Sequence, residues 1–310
     1  MPPKIRGMAY TLVITDTPDQ DSFDRGLPYE KFLLGPSCAS APLELQAHGE
    51  VFAPNACIAR IEPVHIHAAR DHLVLTDPSI LQLKAEEVKE LFEAVKDVFA
   101  EMCTQVFRPT IHRWFIECPR LQSLSTVSTH QAEGRNIDHW MPSDTDIEGV
   151  ARQWRKWQNE IQMIWFNHPV NESRENQGLL PVNSVWISGI GSLNQLSPHS
   201  KLMQASLLHS FDACLNTLAT YLNKAHQSSL LPEPLDGALS LASLKDPQSL
   251  ELWNAACEAL IQGHIQEIVL IDFPEGQERT QVLIQSELPT QGFAFWKKFV
   301  KPSLQDMLRS

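Results

Sequence analysis

The sequence lacks the charge clusters and long apolar runs that mark two large classes of protein. Its 310 residues contain 25 Lys and Arg against 37 Asp and Glu, the formal net charge is −12, and no basic run is present. Proteins that bind nucleic acid by displacing counterions from phosphates need clustered basic side chains, so we expect no nucleic-acid partner. No stretch is long and apolar enough to span a bilayer, so we also expect no membrane partner.

Cysteine pairs of the C-x-x-C type and an N-terminal signal peptide are also absent. Scattered thiols without an export signal are typical of a reduced, cytoplasmic protein, and we predict that location here. Hydrophobic residues make up 43% and charged residues 20% of the chain, which indicates a globular protein. The six cysteines are Cys38, Cys57, Cys103, Cys118, Cys214 and Cys257.

Apolar periodicity predicts helices and strands that alternate along the chain. This alternation favours an α/β fold with mixed sheets and flanking helices. The predicted helices cover 84–102, 148–167, 172–177, 202–224, 248–262 and 293–308, and the predicted strands cover 10–15, 59–67, 72–76, 112–118, 183–187, 267–271 and 280–285. We expect irregular structure over most of 16–52, a turn at 189–192 and a linker at 227–234.

The helix at 148–167 carries an apolar stripe that we expect to be buried. Its members lie three and four residues apart. Glu160 lies at the edge of this stripe, where a carboxylate needs a partner because unpaired buried charge is costly. The predicted stripe consists of Ile147, Val150, Trp154, Trp157, Ile161, Ile164 and His168.

A set of polar side chains follows this helix and forms our candidate ligand site. His168, Asn171, Arg174 and Asn183 lie within a predicted helix–turn–helix–strand and would converge with Glu160, with Trp186 along the wall. Arg174 would be the anion contact, because its planar guanidinium can bind a carboxylate or a phosphate through two hydrogen bonds.

The same residues also have a purely structural interpretation. In it, Asn171 caps a helix, Arg174 pairs with Glu160, Asn183 binds loop backbone and His168 covers the helix end. Polar residues at the junctions of elements often do no more than satisfy backbone groups. Spacing alone leaves both interpretations open.

The segment from Asn159-Glu-Ile-Gln-Met to Gly191 resembles a known family. It contains His168-Pro-Val-Asn, Arg174, Gly178, Pro181, Asn183 and Trp186 at the spacing found in archaeal-type cofactor-independent phosphoglycerate mutases. With Pro63-Val-His-Ile, Arg70-Asp-His-Leu-Val-Leu, His112-Arg-Trp-Phe, Gly134-Arg-Asn-Ile and Phe295-Trp-Lys-Lys, the chain resembles more closely the RpfE-type regulatory protein family, which is phosphoglycerate mutase-like.

The mutase resemblance implies an alkaline-phosphatase-type core with two divalent metals and a phosphoryl-carrying Ser or Thr. A two-metal site clamps the attacking and leaving oxygens and therefore needs its ligands. The expected Asp-Gly pair and Ala-Asp-His-Gly segment are missing. Asp16 and Asp272 each end a predicted strand and would form a residual metal site only if both lie at one sheet edge. Each of the two also has the simpler role of starting a turn.

Two histidines on one strand give a second metal alternative. His65 and His67 alternate and therefore share a face, but no third ligand follows at a recognisable spacing. We therefore predict no cofactor.

The resemblance implies two lobes and a function without catalysis. We expect a lid-like lobe at 51–191 and a smaller, degenerate alkaline-phosphatase-like lobe from 1–50 and 192–310. We predict a non-catalytic regulatory or ligand-binding protein whose ligand is a small phosphorylated or carboxylate compound. The alternative is a metal-dependent mutase or phosphotransferase with divergent ligands, and a third possibility is a protein–protein adaptor.

Overall fold

The structure is a computed structural model, and it describes residues 9–15, 25–210, 213–228, 236–291 and 298–309. The chain forms two compact units. The first unit comprises Met1–Ser22, Pro28–Leu33 and Pro198–Ser310, and the second comprises Phe23–Leu27 and Leu34–Ser197. Within the described ranges, no helix has the length and apolarity needed to cross a membrane.

The described elements alternate between strands and helices, as predicted for an α/β protein. The helices are α1 Pro28–Leu34, α2 Ser40–Ala47, α3 Ala85–Met102, α4 Thr129–Ala132, α5 Val150–Phe166, α6 Pro169–Asn176, α7 Ser200–Gln204, α8 Ala213–Tyr221, α9 Gln248–Gln262 and α10 Leu304–Arg309. The strands are β1 Ala9–Ile14, β2 Ile58–Val64, β3 Ile66–Ala68, β4 Leu73–Leu75, β5 Gln105–Phe107, β6 Trp114–Glu117, β7 Leu124–Ser125, β8 Ser143–Asp144, β9 Ser184–Gly191, β10 Leu207–His209, β11 Ala225–Gln227, β12 Ala238–Ala242, β13 Glu267–Asp272, β14 Arg279–Ile284, β15 Thr290–Gln291 and β16 Lys298–Phe299.

The first unit is built on a mixed six-stranded sheet in the order β11-β10-β12-β1-β13-β14. All neighbouring pairs are parallel except β13 and β14, which are antiparallel. Buried residues of β1 and β13 pack with apolar residues of α9 in one core. The near-continuous apolar sequence of β1 fits a parallel strand that is buried on both faces. The mixed sheet with flanking helices confirms that part of the predicted fold class.

The second unit contains a four-stranded antiparallel sheet in the order β5-β6-β2-β9. Helices α3 and α5 contribute to a core that includes Trp114, Trp154 and Trp165, and the indole nitrogen of Trp165 donates to the Leu91 carbonyl at 2.9 Å. The tryptophans of α5 are therefore core residues. Their apolar spacing was enough to predict α3 and α5 to within two residues at each end.

The buried face of α5 is rotated from the predicted stripe. Ile147 lies before the helix and is 61% exposed, whereas Gln158 and Trp165 are buried although the stripe did not include them. The shift follows from the contacts of Trp165, because a large indole with a buried hydrogen bond outweighs one aliphatic side chain at the helix start.

Two other predictions of local structure are wrong. The region 202–224 is not one helix: α7 ends at Gln204, and Leu207–His209 enters the sheet between β11 and β12. A short apolar run is compatible with a buried strand as well as with a helix, and only its contacts with neighbouring elements decide which of the two forms. The terminal helix is shorter than predicted, since α10 begins at Leu304 and the described residues before it include β16. Most of the predicted linker at 227–234 and most of the predicted loop at 16–28 lie outside the described residues, and Gln227 is the last residue of β11.

The segment at 34–50 is ordered and groups with the second unit, although we predicted irregular structure in the first lobe. Helix α2 buries Ala41 and Leu45 against a small core with Ile58 and Phe115. An eight-residue helix gains most of its stability from such packing, so its sequence carries a weak signal. β1 pairs with β12 and β13, in the first unit. The two-lobe division itself stays a prediction.

Helix α2 approaches β9 closely at Gly189, where we had predicted a turn. Gly189 lies within the strand with φ +63°, and a Cβ atom there would come 2.4 Å from Ser40 Oγ and 2.9 Å from the Ala41 nitrogen. The pairing of β9 with β2 is irregular in this stretch, between Ile58 and Arg60. The glycine therefore marks a bulged strand under a docked helix.

A four-charge network also attaches α2 to the sheet. The Glu44 carboxylate accepts from Arg60 Nη1 at 2.9 Å and from Arg113 Nη1 at 2.5 Å. Arg60 also donates to Ser188 Oγ and lies 3.3 Å from the Glu62 carboxylate. Burial alone would raise the pKa of Glu44, but Arg60 and Arg113 outweigh it and hold the pKa below its usual value.

We predict that Gly189→Ala costs more stability than Gly178→Ala. Both glycines have positive φ, +63° and +72°, so both substitutions carry a similar backbone strain of about 1 kcal/mol. Only at Gly189 does the new methyl group collide with backbone, which should add about 2 kcal/mol. Urea unfolding of the two variants measures the difference. Equal losses would contradict the close docking of α2.

We also predict a pH-dependent loss of stability for Glu44→Gln. Because the folded-state pKa of Glu44 is lowered, its contribution is complete above the unfolded-state pKa and is lost as the pH falls through the folded-state value. The variant should be about 2 kcal/mol less stable at pH 7, and the difference should shrink below about pH 4.5. Glu101→Gln, on the exposed face of α3, is the control and should show no such trend. A difference that stays constant with pH would show that charge pairing is not its cause.

Candidate functional site

Arg174, the predicted anion contact, is completely buried by protein. Its Nε donates to the Leu180 carbonyl at 2.8 Å, Nη2 donates to the Leu81 carbonyl at 2.6 Å, and Nη1 forms an ion pair with Glu87 at 2.9 Å. The residue is 0% exposed. The guanidinium therefore joins α3, α6 and two loops, and no open cleft reaches it.

The predicted ion pair between Arg174 and Glu160 is wrong. Glu160 is exposed on α5, and the partner of Arg174 is Glu87 in the first turn of α3. The prediction used the position of Glu160 on a stripe that turned out to be rotated. A long-range pairing between 87 and 174 cannot be read from local spacing.

Asn171 is not the N-cap of the short helix. That helix begins at Pro169, and His168 is the N-cap, its ring nitrogen accepting from the Val170 N–H at 3.3 Å. Asn171 is buried, donates to the carbonyls of Trp165 and Val182, and accepts from the Val182 N–H. A carboxamide with both ends bonded in this way joins two chain segments as a strand partner would.

Asn183 and Trp186 also bind backbone groups, at two further places. The Asn183 carboxamide accepts from the Ile66 N–H at 2.8 Å and donates to the Ile66 carbonyl at 2.7 Å. The buried Trp186 donates to the Val127 carbonyl at 2.9 Å. This agrees with the structural interpretation of Asn183 as a residue that satisfies loop backbone.

The six predicted site residues are therefore distributed over several places. Asn171, Arg174 and Trp186 are inside the protein, His168 borders a surface hollow beside α3, Glu160 faces solvent, and Asn183 lines a cleft on α5. Ligand binding by this set stays a prediction.

The carboxyl edge of the six-stranded sheet carries a cavity that the sequence analysis missed. It measures about 210 Å³. In α/β folds, ligands bind outside the carboxyl ends of the strands. A hydroxyl residue directly after β1, β10 and β12 is the signal that could have identified it. Its polar lining is Thr15, Tyr29, Ser210, Ser243, Asp246, Gln248 and Ser249.

The first turn of α9 forms part of this lining. Asp246 accepts from the Gln248 N–H at 2.9 Å, which satisfies one of the N–H groups that a helix start leaves open. Ser249 Oγ donates to the Asp246 carbonyl, and the carboxamide oxygen of Gln248 is buried without a partner among the described residues. This edge therefore offers hydroxyl groups and one unsatisfied acceptor.

Asp272 ends β13 at the same edge, but its carboxylate is already paired. Arg279 Nε donates to Oδ1 at 2.9 Å and Nη2 donates to Oδ2 at 2.6 Å, and hydrogen bonding to Asp272 raises the pKa of Arg279. Asp16, the other member of the predicted residual metal site, lies outside the described residues. With Asp272 paired and Asp246 bound to a helix start, the described donors at this edge do not fit a pair of divalent metals.

A buried polar chain crosses three strands of the same sheet. Tyr10 donates to Ser240 Oγ at 2.6 Å, and His209 Nδ1 lies 3.1 Å from the same oxygen. Burial raises the pKa of Tyr10, so its hydroxyl stays protonated. The chain links three adjacent strands, β1, β12 and β10, and places Ser210 at the cavity.

His65 and His67 lie close together but do not complete a metal site. Their rings are stacked with centroids 6.1 Å apart, and each Nδ1 faces a protein oxygen, of Pro181 and Thr76 respectively. Burial lowers the pKa of His65, so it is neutral near pH 7. Over the described ranges, no group of three or more His, Cys, Asp or Glu side chains is placed to hold a metal.

We predict that Arg174→Lys destabilises the protein by about 3 kcal/mol. A lysine cannot reach Leu81, Leu180 and Glu87 at once, so at least one of these buried acceptors loses its hydrogen bond. Arg152→Lys, at an exposed position of α5, should change stability by less than about 0.5 kcal/mol. Thermal unfolding of both variants measures this. If Arg174→Lys unfolds at the same temperature as the wild type, the guanidinium is not needed for the fold.

The chain is similar in sequence to several phosphoglycerate mutases. A protein of Geobacter sulfurreducens named "Probable 2,3-bisphosphoglycerate-independent phosphoglycerate mutase" is 24% identical over 162 residues, which are 51% of this chain and 39% of the relative. The 2,3-bisphosphoglycerate-independent mutase of Picrophilus torridus is 29% identical over 131 residues (41% and 33%). That of Methanosarcina barkeri is 24% identical over 166 residues (53% and 40%).

No family model matches the chain. Among solved structures, the cofactor-independent phosphoglycerate mutase of Thermoplasma acidophilum aligns at a TM-score of 0.37 and 15% identity, covering 91% of each chain. A protein of Pyrococcus horikoshii aligns at a TM-score of 0.36 and 12% identity, covering 85% of this chain and 71% of that one.

The sequence relatives match about half of this chain, and this chain spans only 33–40% of their length. The predicted resemblance to cofactor-independent phosphoglycerate mutases is therefore confirmed as a distant similarity, while the resemblance to the RpfE-type family stays a prediction.

Proposed function

We propose that this protein is a non-catalytic regulatory or ligand-binding relative of the cofactor-independent phosphoglycerate mutases. The proposal includes a degenerate alkaline-phosphatase-like core in the first unit and membership of the RpfE-type group. The distant sequence similarity supports the relation, and the state of the sheet edge supports the loss of catalysis.

The ion pair between Asp272 and Arg279 is the observation that carries the proposal. A carboxylate binds a metal through its negative charge, whereas the charge of Asp272 is already compensated by one guanidinium that donates to both of its oxygens. Arg279 is held in place by a further bond from Nη2 to the Leu308 carbonyl at 2.6 Å. A cation at this carboxylate would have to displace a fixed positive charge.

The cavity at the sheet edge is the proposed binding site. A small phosphorylated or carboxylate compound would take the hydroxyl hydrogens of Thr15 and Ser249 from the carbonyls of Ala242 and Asp246, and the start of α9 adds a favourable dipole for an anion. The cavity volume of 210 Å³ suits a metabolite of a few heavy atoms rather than a macromolecular segment. For the ligand that the resemblance implies, we therefore propose this edge as the site, since Arg174 is covered by protein.

A metal-dependent mutase or phosphotransferase with divergent ligands is the second candidate. It is favoured by the place of the cavity, because the carboxyl edge of a parallel sheet is where α/β enzymes carry their catalytic groups. In this case Asp272 would exchange Arg279 for a metal during function.

We predict that the purified protein neither retains two Mn or Zn ions per chain nor interconverts 2-phosphoglycerate and 3-phosphoglycerate. Loss of metal charge stabilisation removes several kcal/mol, which is on the order of many decades in rate. Metal analysis and a coupled assay, with a known cofactor-independent mutase as positive control, measure both quantities. Interconversion that disappears on chelation would favour the second candidate.

Binding is tested separately by thermal shift with 3-phosphoglycerate. We expect the ligand to stabilise the wild type, and Ser210→Ala together with Ser249→Ala to remove that shift. Ser79→Ala, outside the cavity, should leave the shift unchanged. No shift in the wild type would rule this ligand out.

A further inference from the structure

The second unit contains a separate cleft on the outer side of α5. It measures about 460 Å³, within the range of small-molecule sites. One wall comes from α5, and the opposite wall comes from β3, β4 and the short turn Ile137–His139. This cleft is independent of the sheet-edge cavity and of the function proposed for it.

The wall from α5 is polar throughout. Arg155, Gln158, Asn159 and Gln162 lie at positions i, i+3, i+4 and i+7, so they share one helix face. Three carboxamides and one guanidinium in a row supply both donors and acceptors. An exposed helix face is often polar, so this row needs a second observation before it indicates a site.

Gln158 provides that observation. It is only 5% exposed, and its Nε2 donates to Ser184 Oγ at 3.2 Å and to the Val185 carbonyl at 2.8 Å. Both amide hydrogens are thereby used and the orientation of the carboxamide is fixed. Its oxygen borders the cleft and has no partner among the described residues, so a ligand that donates a hydrogen bond would satisfy it.

The opposite wall is apolar and carries one charge. Ile66, Leu73, Ile137 and Met141 line it, and Asp138 lies beside them. Asp138 and Arg155 are both exposed, and Arg155 lies near enough to Asp144 to help lower the pKa of that carboxyl, after the larger effect of hydrogen bonds from the Ala151 and Gly149 N–H groups. The cleft therefore contains one exposed carboxylate, one exposed guanidinium and a hydrophobic surface.

We propose that this cleft binds a free α-amino acid with an apolar side chain. Its carboxylate would pair with Arg155, its ammonium group would donate to Asp138 and to the fixed Gln158 oxygen, and its side chain would cover the apolar wall. A simple anion would leave Asp138 uncompensated, and an uncharged polyol would use neither charge. A zwitterion offers a partner to both charged side chains of the lining.

Isothermal titration calorimetry with L-leucine tests the proposal. N-acetyl-L-leucine and L-leucinamide, which each lack one of the two charges, should bind about tenfold or more weakly. The substitutions Arg155→Gln and Asp138→Asn should each weaken the binding of L-leucine by a similar factor. The matched controls are Arg152→Gln, exposed on the same helix, and Asp146→Asn, exposed nearby, both outside the cleft.

Three outcomes would overturn the proposal. One is the absence of saturable L-leucine binding up to about 10 mM, a concentration that covers weak millimolar affinities. Another is equal binding of L-leucine and its two singly charged derivatives. The third is equal affinity of Arg155→Gln and Arg152→Gln. None of these outcomes affects the thermal stabilisation that 3-phosphoglycerate is expected to give through the first unit. Failure of this proposal is therefore distinguishable from failure of the proposed function.

Discussion

The buried guanidinium of Arg174 is the interaction on which the second unit most depends. A fully covered positive charge is tolerated only when charge and hydrogen bonds compensate its lost hydration. Glu87 provides the charge, and the carbonyls of Leu81 and Leu180 provide the bonds. These three partners lie at the start of α3 and in two loops. The position of each of these segments is therefore constrained by one side chain of α6.

Other polar residues in this unit follow the same principle. Asn171 and Asn183 each bond backbone groups from a distant segment, and Gln158 bonds Ser184 and Val185. These side-chain amides form hydrogen bonds with backbone groups, as a neighbouring strand would, in segments outside regular secondary structure. The polar positions by which the segment resembles phosphoglycerate mutases thus have a structural reason to be polar. A motif that holds a scaffold together can persist whether or not catalysis does.

The first unit shows how strand pairing determines which groups meet at a sheet edge. Parallel strands bring Thr15, Ser210 and Ser243 to one edge, beside the start of α9. Asp272 lies at that edge as well, but Arg279 on the antiparallel neighbour strand binds both of its oxygens. The pairing register places Asp272 directly opposite Arg279, so the ion pair is built into the sheet.

The sequence by itself determined the elements with strong periodicity or continuous apolar character. Helices α3, α5 and α9 and strands β1, β13 and β14 were predictable because their apolar residues repeat at the period of the element. Tertiary structure alone decided the rest: that α2 is a helix docked over Gly189, that Leu207–His209 is a strand, and that Arg174 pairs with Glu87 rather than Glu160. These outcomes depend on contacts between residues far apart in the chain, such as 87 with 174, and local spacing carries no information about such contacts.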